Sequence, residues 1–218
     1  MYLKNKLIFM KLFLASEAGD PATITKLKNY IGGFEGKTIA YVPTASNGEI
    51  AFGSWKKVSS TWKLVQTLGA KVTSVQLEDY KDSTVINVLR GKDIVWFAGG
   101  SPGYLMYWIR RCGLDKAIAE LLQKSLYVGS SAGSMVTAKR LLVSEWYFGQ
   151  GEPGVSVIPG LGLVDFDIYP HYEDQMFNSI KEHYRGKKLY LLKNGEEIVV
   201  EDGKIRVFGE ERIITLKK

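Results

Sequence analysis

The segment YVGSSAGSMV, residues 127–136, runs an apolar, β-rich stretch into two glycines that bracket two serines and an alanine. Gly129-Ser130-Ser131-Ala132-Gly133 fits the pattern G-x-S-x-G, and that pattern has physical content. Glycine on either side of a serine allows a sharp turn from strand to helix that holds the hydroxyl out in front. Five small residues also make a plain loop, a helix cap or an anion-binding turn. The flanks favour the first reading: SLYVG before the turn reads as a strand and SMVTAKRLL after it begins a helix, the setting in which such a serine is reactive.

Upstream, the same strand–helix alternation recurs four times. KLFLAS is a first strand, followed by the helical DPATITKLKNYIGGF, where Asp20 can cap and Pro21 takes the first helical position. TIAYVPTAS is a second strand ending at Pro43. Between Ile50 and Leu68, residues Trp55, Val58, Trp62, Val65 and Leu68 recur at intervals of three and four, which predicts one helix with all five on its core face. Gly69 closes it, KVTSVQL supplies a third strand, STVINVLRGK a short helix, and DIVWFAGG a fourth strand that stops at two glycines. GYLMYWIRRCGLDKAIAELLQKS reads as helix broken near Gly113, and LYVGS is the fifth strand.

The last third differs. LYLLKNGEEIVVEDGKIRVFGEERIITL has short alternating strands with Asn-Gly, Asp-Gly and Gly-Glu turns, the pattern of a β-meander. The whole predicts an α/β fold: a mostly parallel central sheet flanked by helices, with a C-terminal antiparallel β extension. No composition shift marks a linker, so residues 10–218 read as a single domain. Residues 1–9 read as an N-terminal extension, and Met10 is a candidate natural start, because the lysines and apolar run that resemble a signal peptide are interrupted by Lys11.

Bulk properties narrow the function classes. The chain has 218 residues with 45% hydrophobic content, enough for a real core. Its net charge of +6 comes from 29 Lys and Arg scattered among 23 Asp and Glu, without the clustered stripe that nucleic-acid binding needs. No apolar run reaches the ~18 residues of a membrane span. The single cysteine, Cys112, excludes an internal disulfide and fits a reducing, cytoplasmic compartment. Neither paired metal-ligand cysteines nor a phosphate-binding G-x-G-x-x-G or G-x-x-x-x-G-K-[ST] occurs, so no cofactor is expected. Exposed aromatics among the five tryptophans and twelve tyrosines are the candidate face for a homodimer.

A serine hydroxyl needs a base to take its proton. Of the two histidines, His171 follows an apolar segment and Pro170 in DIYPHYED, where a loop can present it, whereas His183 lies in the polar, helical SIKEHYRGKK. His171 is therefore the candidate base. Amide donors for a developing oxyanion are available at Ala132, just after the serine, and at Gly99-Gly100, which end a strand expected to lie beside the serine strand. Ligand sites in open parallel sheets gather at such carboxyl ends.

Four segments in order, VWFAGGSPGYLMYWIRRCGLDKAI, YVGSSAGSMV, IPGLGLVDFDIYPHY and LYLLKNGEEIVVEDGKIRVFG, resemble the aspartyl dipeptidases, peptidase family S51, from about Met10 onward. The resemblance implies a fold similar to class I glutamine amidotransferases and a serine hydrolase of short peptides. Ser131 is then nucleophile, His171 general base and acid, and Gly100 an oxyanion donor with Ala132. A glutamine amidotransferase itself would need a cysteine at the elbow, where this chain has serine. Two departures stand out. The strand-end glycines are followed by Ser101-Pro102, and Pro102 has no N–H to donate. The family's third catalytic residue, an acid, falls at Asn194, which can fix the histidine tautomer without stabilising its cation by charge. Glu196 and Glu145 are the alternative acids. Arg110 and Arg111 read either as a solvated helix face or as cations for an acidic substrate, while Glu173 and Asp174, next to His171, would oppose one, so no aspartyl specificity is assigned. A catalytically silent relative that binds a peptide, an amino acid or a protein partner in the same cleft is the competing reading.

Overall fold

The structure is a computed structural model that describes residues 10–216; the proposed extension at residues 1–9 lies outside the described residues. Strands and helices alternate as β1 Lys11–Ala15, α1 Pro21–Ile31, β2 Thr38–Val42, α2 Thr44–Asn47, α3 Trp55–Val58, α4 Ser60–Val65, β3 Lys71–Ser74, α5 Val85–Leu89, β4 Ile94–Phe97, α6 Pro102–Arg111, α7 Leu114–Leu121, β5 Leu126–Ser130 and α8 Ala132–Met135. There follow β6 Asp167–Tyr169, α9 Phe177–His183, β7 Lys188–Leu191, β8 Glu197–Glu201, β9 Lys204–Phe208 and β10 Ile213–Thr215.

Seven strands form the main sheet in the order β3-β2-β4-β5-β1-β8-β9. Its first five are parallel, and β8 and β9 extend it antiparallel beyond β1. This is the mostly parallel α/β sheet with an antiparallel extension that the sequence predicts. Leu12, Leu14, Val95, Phe97 and Tyr127 face one apolar layer, while Phe13, Tyr41, Trp96 and Val128 face another. Burial on both faces explains why the strands read as continuous apolar runs.

Local chemistry sets the first helix as expected. The Asp20 carboxylate accepts the N–H groups of Ala22 at 2.8 Å and Thr23 at 3.4 Å, Pro21 opens α1, and Gly32 ends it at φ 72°. No described helix is long and apolar enough to cross a membrane.

Three expectations need correction. The helix predicted over residues 50–68 is two short helices, because Ser59 turns extended and its hydroxyl accepts the N–H of Trp62 at 3.1 Å as the cap of α4. The break rotates Val58 out of the core face to 61% exposure, while Trp55 stays fully buried. The helix after Ser131 lasts only four residues. Its continuation is preempted: the carbonyls of Val136, Thr137 and Ala138 accept the amides of Leu161, Leu163 and Gly162 from a returning segment. Finally, the C-terminal strands are no single meander. β7 joins a second, three-stranded sheet ordered β10-β7-β6, while β8 pairs with β1, so the chain changes sheets at Asn194-Gly195. Asp202-Gly203, with φ of 51° and 74°, is a true hairpin turn between β8 and β9.

Candidate active site

Parallel pairing sets the carboxyl ends of β4, β5 and β1 side by side, with Phe97 opposite Gly129 and Ala15 opposite Ser130. Ser16, Gly99, Gly100 and Ser131 therefore emerge together at the carboxyl ends of adjacent interior strands. Both glycines of the serine motif are needed for close approach. A Cβ on Gly129 would lie 2.7 Å from the Gly133 carbonyl oxygen, and one on Gly133 would lie 2.4 Å from that of Phe97. Ser131 pays for this turn with φ 48° and ψ −110°, outside the regions an L-residue favours.

The three serines of the segment, Ser130, Ser131 and Ser134, differ in what their hydroxyls do. Ser130 Oγ accepts the Ala18 N–H at 2.9 Å, and Ser134 Oγ donates to the Ala15 carbonyl at 2.7 Å. Ser131 Oγ has no hydrogen-bond partner among the described residues, although its N–H is fixed by the carbonyls of Ala15 at 3.1 Å and Ser16 at 3.0 Å. A half-buried, strained, pinned serine with an uncommitted hydroxyl is what remains.

Gly100 borders it at φ 134°, where a Cβ would meet the Ala45 carbonyl oxygen at 2.2 Å. A Cβ on Gly99 would lie 3.3 Å from that of Ser131. The amides of Gly100 and Ala132 have no acceptor among the described residues. Pro102 costs less than its missing N–H suggests: it is the first residue of α6, where no intrahelical bond is due, and Ser101 caps the helix by accepting the Tyr104 N–H at 3.0 Å.

His171 also has positive φ, at 52°, on the loop after β6. Its Nδ1 lies 2.7 Å from Asn194 Oδ1. Because that oxygen only accepts, Nδ1 carries the proton and Nε2 is left as the basic nitrogen. The fully buried Ser16 completes the arrangement: its hydroxyl accepts the His171 N–H at 2.7 Å and donates to Asn194 Oδ1 at 3.1 Å. Sequence reading missed Ser16; its position at the carboxyl end of the first parallel strand was the available signal. No hydrogen bond joins Ser131 Oγ to His171 among the described residues, and His171 and Asn194 line a depression separate from the cavity at Ser131. Apo sites commonly hold such pairs apart before substrate binds.

The alternative acids sit elsewhere. Glu145 accepts the N–H groups of Gly154 at 2.7 Å and Ser156 at 2.9 Å, which lowers its pKa and braces a loop. Glu196 pairs with Arg212 at 2.7 Å and accepts the Lys193 N–H at 2.9 Å, so it is neither solvated nor turned to His171. Arg110 and Arg111 are exposed on α6, with Arg111 on the Lys81 carbonyl, and do not line the cavity. Asp174 is paired with Lys193 at 2.7 Å. His183 packs tilted against Trp146 and edge-on to Phe148.

The cavity at Ser131, of about 200 Å³, is lined by Gly100, Ser144, Tyr147, Glu49 and Glu152 among others. It suits a small ligand. Partial desolvation, then the neighbouring Glu152 charge, push the Glu49 carboxyl above its ordinary pKa.

Comparisons with known proteins agree with this architecture. The chain is 28% identical to the uncharacterized peptidase Lmo0363 of Listeria monocytogenes over 87% of this chain and 93% of that one. It is 25% identical to a Nostoc peptidase E, covering 88% and 80%. A solved structure of a Listeria monocytogenes protein classed with peptidase E superposes with a TM-score of 0.74 at 25% identity, covering 91% of this chain and 98% of that one. The model of peptidase family S51 matches residues 12–208, and the chain belongs to that family.

Proposed function

We propose that this protein is a serine hydrolase of short peptides, acting through an acyl-enzyme on Ser131 with His171 as general base and then general acid. The observation that carries the reading is Ser131 itself. A strained backbone at a strand-to-helix turn is retained together with a hydroxyl that serves no structural bond.

In this reading Ser131 Oγ adds to the scissile carbonyl carbon while His171 Nε2 takes the hydroxyl proton. The N–H groups of Gly100 and Ala132, with Gly99 beside them, receive the oxyanion. As the C–N bond breaks, His171 returns the proton to the leaving amine. Water then attacks the ester, giving its proton to His171, and the acid product leaves with Ser131 restored. Asn194 takes the acid's place and holds the Nδ1 proton in line. The small cavity supports short substrates rather than folded chains.

Intact-protein mass spectrometry after incubation with a fluorophosphonate tests the reading. One probe mass on wild type, absent from Ser131→Ala and reduced in His171→Ala, is the expected result. No addition to folded wild type would overturn it. The neutral Asn194 beside His171 would then favour the second reading, a peptide- or amino-acid-binding relative.

A further inference from the structure

The cavity that holds Ser131 has an electrostatic character that the fold does not require. Glu49 stands at its mouth and Glu152 within it, and no lysine or arginine is among its lining residues. Among the described residues, neither carboxylate is in an ion pair. Glu152 is held in place, accepting the Gly103 N–H at 2.8 Å and the Ser101 hydroxyl. That bonding explains Glu152 as a brace for the start of α6. It does not explain Glu49, an exposed residue at the cavity whose carboxylate makes no hydrogen bond among the described residues, and whose pKa its surroundings raise.

A second, independent feature points to a ligand. Ser144 lines the same cavity at 1% exposure, yet its hydroxyl has no hydrogen-bond partner among the described residues. Leaving a buried hydroxyl unmatched is costly, and native structures rarely do so without a reason. An acceptor-rich cavity with two uncompensated negative charges lacks a donor that is itself positive. An ammonium group supplies three donors and the compensating charge. An aspartyl side chain would instead face two like charges.

We infer that the Glu49–Ser144–Glu152 side of the cavity is a subsite for a cationic group on the residue whose carbonyl Ser131 attacks. The inference deepens the hydrolase reading and rests on it for the position of the scissile bond. The cation is either the free α-ammonium or a basic side chain of that residue, two sources that share one chemistry.

Equilibrium binding distinguishes them without turnover. Isothermal titration of wild type, Glu49→Gln and Ser144→Ala would use L-lysinamide, L-norleucinamide, N-acetyl-L-lysinamide, N-acetyl-L-norleucinamide and N-acetyl-L-aspartamide. At least one singly cationic amide should bind wild type about tenfold more tightly than N-acetyl-norleucinamide, with the aspartamide weakest, and each substitution should remove most of that preference. Preference for norleucinamide assigns the α-ammonium, and preference for N-acetyl-lysinamide the side chain. Equal binding of all five, no saturable binding, strongest binding of the aspartamide, or a cation preference that survives Glu49→Gln would each overturn the inference. A chain that labels at Ser131 but ignores cations loses the subsite and keeps the hydrolase. One that binds cations but never labels keeps a cation-binding cavity and loses the hydrolase.

Discussion

The carbonyl oxygen of Ser16 accepts the backbone N–H of Ser131 at 3.0 Å. The hydroxyl of the same Ser16 accepts the His171 N–H at 2.7 Å and reaches Asn194 Oδ1 at 3.1 Å. One buried residue at the end of β1 thus ties the serine turn of the main sheet to the histidine loop of the second sheet. In the proposed mechanism it would be a positioning residue, since it touches the histidine only through the backbone N–H and through Asn194.

Replacing that hydroxyl should separate the two loops. Ser16→Ala orphans the His171 N–H and one contact of Asn194, and should destabilise the fold by about 1–3 kcal/mol in urea unfolding. If Ser16 positions the base, fluorophosphonate labelling of Ser131 should also slow and lose the pH dependence that His171 gives it. Lower stability with an unchanged labelling profile would make Ser16 a purely structural residue.

Asn194 holds the tautomer but brings no charge to an imidazolium. Asn194→Asp places a carboxylate against Nδ1–H, where it stabilises the imidazolium formed as the base takes the proton, so labelling should accelerate about tenfold or more; the reverse exchange in a serine protease costs ~10⁴. Asn194→Leu should slow labelling. A pH–rate profile of the three proteins decides the matter, and an aspartate variant no faster than wild type would mean that this site is built around the amide.

Strain at Ser131 makes a stability prediction opposite in sign to its effect on function. At φ 48° and ψ −110° a side chain is costly, and glycine is not. Ser131→Gly should therefore be more stable than Ser131→Ala by about 1–3 kcal/mol in chemical denaturation while both lose labelling. Equal stability of the two variants would remove the strain on which the nucleophile assignment leans.

How much of this was legible in the sequence follows from the range of the forces involved. The five parallel strands, the cap at Asp20 and the break at Gly113 were readable because each depends on local pattern or backbone chemistry. The split of residues 50–68 at Ser59 was not, since a capping hydroxyl outweighed an unbroken apolar period. The short α8 escaped because the carbonyls of the three residues that would continue it are claimed by residues some twenty-five positions downstream, beyond any local sequence window. At the site, Ser131, His171 and the glycines announce themselves by residue type. Ser16, Glu49 and Ser144 do not, because a serine or glutamate acquires its role only from what tertiary packing sets beside it.

Glu197 carries a prediction about pH. It lies on β8 opposite Ala15, fully buried, and accepts the Thr23 hydroxyl at 3.2 Å. Lys26 Nζ stands 3.2 Å from its Oε1 without the alignment of a hydrogen bond. Burial pushes its pKa up to about 7 in spite of both partners. The folded state therefore holds a proton that the unfolded state, near the ordinary value of 4.5, has released. Stability must then fall as pH rises from about 4.5 to about 7, by on the order of 3 kcal/mol for this group, and level off above that window. Glu197→Gln removes the titration and keeps an acceptor for Thr23. Urea unfolding at pH 5 and pH 8 should show the variant losing about 3 kcal/mol less than wild type between the two. Parallel losses in both proteins would mean that Lys26 fully compensates the buried charge.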